Sequence, residues 1–215
     1  MKIKLLIFTS IILLAASCTK TSVTYYENGQ KSTEITYRNS TPVGEAYFWH
    51  PNGELMQQNS YEDGKVNGIL KRWHPNGNPE AEEEYKNDLR HGISKQFNND
   101  GALTLEAYYK NDTLNGAYRE FYPDGSIKIS GGYQNGLFEG EWKWYDYDGV
   151  VLGEASFHKG SGIQKAWRRD GTLLREVEYY QNLKHGSSIH FNEKGEVEKQ
   201  IKYDRDSVVE IDDAE

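Results

Sequence analysis

A unit of about 24 residues recurs eight times along the chain, and this repeat constrains the fold more than any other feature. Each unit contains a glycine with one aromatic ring eight residues after it and another ring four residues before it. The step between glycines is 24 residues except for one step of 22, at Gly29, Gly53, Gly77, Gly101, Gly125, Gly149, Gly171 and Gly195. A fixed period of this length indicates a stacked array of short units rather than a domain built around one pocket.

Each unit has the pattern of a β-hairpin. Residues 45–50 are rich in strand-forming side chains, and Pro51-Asn52-Gly53 then has the composition of a type I turn closed by a glycine bulge. If His50 pairs with Glu54, a ring faces an aliphatic side chain in six of seven units, a pairing that stabilises sheets. The predicted pairs are Trp49–Leu55, Trp73–Pro79, Phe97–Leu103, Phe121–Ile127, Tyr145–Val151, Trp167–Leu173 and Phe191–Val197.

The second turn of the unit, around Asp63-Gly64, is predicted to be looser, and another glycine, such as Gly68, opens the next unit. A glycine at this regular place suggests close backbone approach or a ring packed from the neighbouring strand. The predicted fold class is all-β, an elongated, twisted antiparallel meander of about eight stacked hairpins over residues 24–203. An acidic tail over residues 204–215 is predicted to follow.

The first 17 residues have the composition of a signal peptide. Two lysines precede the uncharged, mostly apolar residues 5–16, a run too short to span a bilayer as a helix. Cys18, the only cysteine, follows small residues, and this order resembles a bacterial lipoprotein signal, which implies cleavage before Cys18 and its lipidation. We therefore expect a signal peptide over 1–17, a lipidated N-terminus and short linker over 18–23, and anchoring in the bacterial envelope. The outer membrane or the periplasmic face is the expected location, and the alternative is an ordinary secretory peptide.

The charge balance limits the partners. The formal charge is −8, and removing residues 1–17 with their two lysines lowers it to −10, which argues against nucleic acid and anionic lipid as general partners. Two charged columns repeat with the units, and we expect both to be solvated side chains that oppose aggregation of the sheet. The alternative is that the basic column binds an acidic glycan or lipid headgroups. The basic column is Lys71, Lys95, Arg119, Lys143 and Lys165, and the acidic column is Glu34, Glu82, Glu106, Glu154 and Glu176.

Motifs for catalysis or metal binding are missing from the sequence. His50 and His74 share a column, but adjacent units separate them by about 10 Å, too far to share one zinc ion. The chain has no Gly-x-Ser-x-Gly, phosphate-loop or paired-cysteine motif. We therefore expect neither an enzyme nor a cofactor.

Four extra rings, Tyr118, Tyr122, Trp142 and Trp144, are the candidate partner-binding residues. They fall outside the two ring columns, and strand alternation predicts that they lie on the opposite face in neighbouring units. A local group of exposed rings is typical of a binding patch for a protein or a glycan. The alternative is a second packing cluster. On the first interpretation Trp142 and Trp144 contribute little to stability, whereas Trp73 in the ring column contributes much.

The spacing Tyr–x–x–Gly–x–x–x–Gly–x–Trp, which runs from Tyr133 to Trp142, resembles MORN repeats of the bacterial variant type. The resemblance covers roughly residues 24–203 and extends to the YwqK-like family of antitoxins. It implies hairpin arrays that contact proteins or membrane lipids. The unit between Phe157 and Gly162 is two residues short, which predicts a tighter loop there.

Three functions follow as hypotheses from these observations. The first is a non-catalytic, membrane-anchored scaffold for an unidentified protein partner in the bacterial envelope. The second is an antitoxin or immunity protein that binds a cognate toxin. The third is a cell-wall or carbohydrate-binding module.

Overall fold

The computed structural model describes residues 18–213, which form one all-β sheet of eighteen strands. The strands are β1 (Thr19–Tyr25), β2 (Lys31–Arg38), β3 (Thr41–Trp49), β4 (Leu55–Glu62), β5 (Lys65–Val66), β6 (Gly68–Trp73), β7 (Pro79–Lys86), β8 (Leu89–Phe97), β9 (Leu103–Lys110), β10 (Thr113–Phe121), β11 (Ile127–Gln134), β12 (Leu137–Tyr145), β13 (Val151–His158), β14 (Ser161–Trp167), β15 (Leu173–Tyr180), β16 (Leu183–Phe191), β17 (Val197–Asp204) and β18 (Ser207–Asp213).

Consecutive strands pair antiparallel along the whole sheet. The short β5 and the following β6 are two pieces that both pair with β4. The predicted all-β meander of stacked hairpins is therefore confirmed.

Three-residue turns close the hairpins at one edge of the sheet, as predicted. At Pro51–Gly53 the His50 amide donates to the Glu54 carbonyl at 2.8 Å, and Gly53 has a φ of 92°. All seven predicted ring pairs are confirmed, from Trp49 opposite Leu55 to Phe191 opposite Val197. A register shift accompanies each ring pair, because the strand after the turn holds one extra residue just after the aliphatic partner, and such a bulge reverses the alternation of faces along that strand.

The turns at the other edge are tighter than the sequence predicted. Asn87 and Asp88 both have positive φ, 52° and 70°, as in the two-residue type I′ turn. Asp63 and Gly64 form the same kind of turn, and the residues after it that were interpreted as part of a loose turn belong to a bulge in the next strand. Tyr85 pairs with Arg90, whereas Glu83 pairs with Ser94, so the second strand accommodates two extra residues.

The short unit lacks this bulge. Phe157 pairs with Gly162 and Ser156 with Ile163 without any register shift between β13 and β14. The turn itself, Lys159-Gly160, has two residues like its counterparts. The prediction of a tighter loop is therefore wrong, because the two missing residues are taken from the bulge.

The sheet extends beyond the predicted array at both ends. Strand β1 begins at Thr19 inside the predicted linker, and β18 covers most of the predicted acidic tail. Both segments contain β-branched side chains and pair with an adjacent strand, which explains why they extend the sheet. The predicted signal peptide over 1–17 lies outside the described residues.

The two faces of the sheet differ in chemistry. The ring face carries the side chains of Tyr133, Trp142 and Phe157, and the charge face carries a row of alternating charges. The predicted basic and acidic columns interleave in that row, because Lys71 faces Glu82 and Glu82 faces Lys95. Ion pairs form along it, at 3.3 Å for Lys71–Glu82, 2.8 Å for Arg119–Glu106 and 2.9 Å for Lys165–Glu176. The basic column is thus neutralised by its neighbours.

Glycines at the bulge position are expected to differ in their tolerance of alanine. Gly116 has a φ of 134°, and an added Cβ would lie 2.8 Å from the Tyr108 Cβ, whereas Gly140 has a φ of 73° and open space around it. We expect Gly140→Ala to lower the free energy of unfolding by about 1 to 2 kcal/mol. Gly116→Ala adds the clash with Tyr108 and should cost about 2 to 4 kcal/mol. Urea unfolding midpoints measure both, and equal losses would contradict this account.

Candidate interaction surfaces

The most buried aromatic side chains gather in the middle of the ring face. Trp142 is only 3% exposed and packs with Ala155 and Phe157. Partly buried side chains surround these three residues: Tyr118, Ile129, Tyr133, Phe138, Trp144 and Tyr179. We call these nine residues the ring cluster.

The geometry of the ring cluster is that of a packed core. The Trp142 ring lies 5.2 Å from Tyr133 and 4.8 Å from Phe138, both edge-on, and stacks on Trp144 at 6.0 Å. Its Nε1 donates a hydrogen bond to the Gly132 carbonyl at 3.1 Å. The neighbouring Gly131 has no side chain, and a Cβ there would overlap the indole ring. Each such ring pair contributes about 0.5 to 1.5 kcal/mol beyond its buried area.

The ring cluster coincides with the short unit. Phe138 on β12 lies 5.1 Å from Phe157 on β13, which lies 5.7 Å from Tyr179 on β15. The side chain of Asn182 donates to the Gly136 carbonyl and accepts from the Phe138 amide, both at 2.8 Å, so it joins two turns that are not adjacent. The unit without a bulge therefore lies where the turns on either side of it are joined and where the rings of three strands meet.

The predicted patch of four rings is only partly correct. Tyr118, Trp142 and Trp144 do lie together, but they share a face with Tyr133 of the tyrosine column. The other ring column lies on the charge face, where the Tyr145 hydroxyl is 3.4 Å from the Ser130 hydroxyl. The prediction that the four rings lie on the face opposite both columns is wrong, because the bulge in the strand after each three-residue turn places the two columns on opposite faces.

Tyr122 does not join the ring cluster. It packs on Tyr147 at 4.3 Å and donates to the Tyr145 carbonyl at 2.9 Å, beside a three-residue turn. Phe138, by contrast, belongs to the ring cluster and was missed. The sequence does set Phe138 apart, because it is the only aromatic residue at the second position after these two-residue turns. The equivalent residues are Pro42, Val66, Arg90, Leu114, Gly162, Lys184 and Val208.

Burial and nearby charges shift the pKa values of titratable groups in and near the ring cluster. Burial raises the pKa of Tyr133 to about 12, and burial with the nearby Glu120 carboxylate raises the pKa of Tyr118. The Tyr118 hydroxyl donates to Glu120 Oε1 at 2.7 Å. Burial, followed by the charges of Arg175 and Lys199, lowers the pKa of His190. Both phenols are therefore protonated at neutral pH, so neither supplies a ready nucleophile.

Histidines at one edge link adjacent units. Nε2 of His50 lies 2.8 Å from the Trp73 carbonyl, and Nε2 of His74 lies 3.4 Å from the Phe97 carbonyl. Within residues 18–213, no three side chains of the types His, Cys, Asp and Glu come together as a metal site. The same residues contain no helix long and apolar enough to cross a membrane.

The end strands present the most exposed surfaces of the sheet. Cys18 is exposed and directly precedes β1. Every residue of β1 and of β18 is exposed. Strand β18 also carries three aliphatic side chains, Val208, Val209 and Ile211, that are each more than half exposed.

These features define an open array of stacked hairpins, and a family model agrees. The model of the MORN repeat variant matches residues 20–39, 42–65, 66–87, 90–111, 114–135 and 138–159, more than half of the chain. The chain therefore belongs to the MORN repeat variant family. Repeats of this family are commonly modules that contact proteins or membranes and are generally non-catalytic.

Comparisons with whole proteins add little. No curated protein matches the chain. Among solved structures, the chain is similar to part of the crystal structure of TcdB2-TccC3-TEV, with 10% identity and a TM-score of 0.23. The match covers 86% of this chain but only 12% of the other chain, so this chain spans about an eighth of its length.

Proposed function

We propose that this protein is a non-catalytic scaffold, tethered to a membrane of the bacterial envelope, that binds other proteins through its repeat array. The observation that carries the proposal is the single open sheet, which leaves both faces and both end strands available for contact. The membership of the MORN repeat variant family supports a contact function.

Lipidation of Cys18 is the proposed means of tethering. Cys18 is exposed, and β1 starts at the next residue, so a lipid on its thiol would hold the first strand close to the membrane surface. Two or more acyl chains give durable anchoring, whereas one chain alone gives marginal binding. The outer membrane or the periplasmic face is the proposed location.

The other two hypotheses differ in support. A glycan module needs exposed ring faces, and the burial of Trp142 removes the centre of the predicted ring platform. An immunity function needs the same open sheet as a scaffold does and differs only in the identity of the partner. Identifying the bound partner therefore distinguishes the immunity function from the scaffold function.

Substitution of Cys18 by alanine tests the anchor. Wild-type protein should incorporate labelled palmitate and fractionate with membranes, and Cys18→Ala should do neither. Globomycin, which blocks the lipoprotein peptidase, should make the wild-type precursor accumulate. Ser22→Ala in β1 is the matched control and should behave as wild type. If wild type takes up no palmitate, the anchor is not Cys18 lipidation.

Site-specific photo-crosslinking in intact cells tests partner binding. A crosslinking residue replaces one exposed side chain at a time, at Ile69 on β6, at Ile163 on β14 and at Val209 on β18. A discrete adduct from at least one position, identified as another protein by mass spectrometry, is the expected result. A toxin in that adduct would assign the immunity function. Adducts from none of the positions would contradict the scaffold.

A further inference from the structure

The free edge of β18 combines unpaired backbone with exposed apolar side chains. Its pairing is with β17 alone, from Lys199 opposite Asp213 to Asp204 opposite Ser207. Val208, Val209 and Ile211 are 51%, 57% and 52% exposed. An edge strand of this kind is a template for pairing with another strand.

The row of alternating charges on the charge face indicates which charged side chains a strand added beside β18 would carry. Three glutamates in the row face a basic residue on both neighbouring strands: Glu82 lies between Lys71 and Lys95, Glu106 between Lys95 and Arg119, and Glu154 between Lys143 and Lys165. The row continues from Glu176 through Ile189 and Gln200 to Asp212 on β18.

Two of the three acidic residues of β18 have a basic neighbour on β17, and the third, Asp212, lies opposite Gln200. Glu210 lies opposite Lys202, with a 3.8 Å ion pair, and Asp213 lies 3.5 Å from Lys199. The other side of β18 has no paired strand among residues 18–213. Opposite charges on facing strands stabilise a sheet and like charges destabilise it, so the pattern of this sheet favours Lys or Arg opposite Glu210 and Asp212.

The ring face of β18 sets the second requirement. Ile211 lies opposite Ile201, in the row that leads back through Ser188, Val177 and Gln164 to Ala155 and Trp142. Val208 lies opposite Tyr203 on the same strand pair. A strand added beside them would cover this apolar surface with aliphatic side chains of its own.

We propose that β18 is a docking strand for an extended protein segment in which aliphatic residues alternate with Lys or Arg, and which adds to the sheet as a further strand. This proposal rests on the scaffold function and specifies one of its binding surfaces. Backbone hydrogen bonds provide binding, the aliphatic residues cover Val208 and Ile211, and the basic residues face Glu210 and Asp212.

The opposite edge strand offers a different chemistry. Residues 19–24 are Thr-Lys-Thr-Ser-Val-Thr, which supply hydroxyl groups and one lysine but no acidic side chain. Strand β1 also follows Cys18 directly, at the proposed membrane contact. A basic segment is therefore expected to pair with β18 rather than with β1.

The test uses three labelled ten-residue peptides and the lipid-free mature protein. The first peptide alternates valine with lysine, the second alternates valine with glutamate, and the third is the lysine peptide with alternate backbone amides methylated along one edge. Fluorescence anisotropy should show binding of the first peptide, with at least roughly tenfold weaker binding of the other two. Methylation blocks strand pairing without changing the charge, so it isolates the backbone contribution.

A charge reversal locates the peptide. The variant Glu210→Lys/Asp212→Lys should bind the lysine peptide roughly tenfold more weakly and should gain affinity for the glutamate peptide. The matched control is Glu54→Lys/Glu141→Lys, which makes the same change in net charge at exposed positions away from β18. Its affinity for the lysine peptide should change less than about twofold.

Several results would overturn the proposal. These are no binding of the lysine peptide, equal binding of its methylated form, or equal effects of the two reversals, which would mean non-specific attraction to an acidic protein. Dimerisation in sedimentation velocity that Glu210→Lys/Asp212→Lys abolishes would assign the edge to a second copy of the chain instead. Crosslinks to a partner protein from Ile163 or Ile69 do not depend on β18. Such crosslinks would therefore support the scaffold function even if the peptide experiments rule out docking on β18.

Discussion

Truncation of Trp142 to alanine is expected to lower the free energy of unfolding by about 3 to 5 kcal/mol. The side chain is 3% exposed and contacts the rings of Tyr118 and Tyr133 on two other strands, so its removal leaves a cavity in the middle of the ring cluster. The indole also donates a hydrogen bond to Gly132, and that carbonyl would lose its partner. Urea unfolding midpoints of wild type and Trp142→Ala measure the loss.

Trp73→Ala is the matched control for Trp142→Ala. Trp73 precedes a three-residue turn, pairs with Pro79 and is only partly buried. We expect a loss of about 1 to 2 kcal/mol there, since less apolar surface becomes exposed. The sequence pattern alone predicts the reverse order, with Trp73 the more important of the two. A loss at Trp73 equal to or larger than that at Trp142 would contradict the ring cluster as the core.

Gly131→Ala is expected to lower the free energy of unfolding by about 1 to 3 kcal/mol, the usual cost of overpacking. The new Cβ would overlap the indole of Trp142, so the ring must move within a cluster that surrounds it. Gly132→Ala is the neighbouring control, because the nearest atom to its Cβ would be the Glu139 carbonyl oxygen at 3.3 Å. That variant should stay within about 1 kcal/mol of wild type.

A double-mutant cycle tests whether Gly131 and Trp142 act as a pair. Trp142→Leu alone leaves a cavity and Gly131→Ala alone overpacks the site, but together the added methyl group occupies part of the vacated space. We expect the double variant to be more stable than the sum of the single effects predicts, by about 0.5 to 3 kcal/mol. Additive losses would mean that the alanine is destabilising for a reason unrelated to the indole.

The predictable part of the fold is the part that local chemistry determines. Pro51-Asn52-Gly53 specifies its own turn, and the turn then sets Trp49 opposite Leu55, so one unit gives the register of all the others. The assignment of faces failed because the bulge at the start of the strand after each three-residue turn was left out of the alternation. One extra residue is enough to place Tyr145 on the charge face and Tyr133 on the ring face.

The candidate site was less predictable, because it depends on contacts between units. Trp142 looks like an extra surface ring when its own strand is considered alone. Its burial results from the missing side chain at Gly131 and from Phe138 and Phe157, which the unit without a bulge brings into contact. A two-residue deletion is visible in the sequence, but the sequence does not show whether a turn or a bulge has lost the residues.

The ring cluster and the end strands divide stability and recognition between them. In an array each unit contacts only its neighbours, so the clustered rings of β10 to β15 stabilise the middle more than the ends. The fully exposed strands β1 and β18 lie farthest from that core in the chain. Membrane attachment is proposed beside the first and partner docking on the last.

The radius of gyration of residues 18–215 tests the open array most directly. A compact chain of this length would have a radius of gyration of roughly 16 to 17 Å. The strands occupy seventeen positions about 4.8 Å apart, since β5 and β6 share one, and extend the sheet over roughly 75 Å, so small-angle X-ray scattering should give a value above about 20 Å. A value near 16 to 17 Å would show that the sheet folds back on itself, and the open faces and edges on which the proposed function depends would not exist.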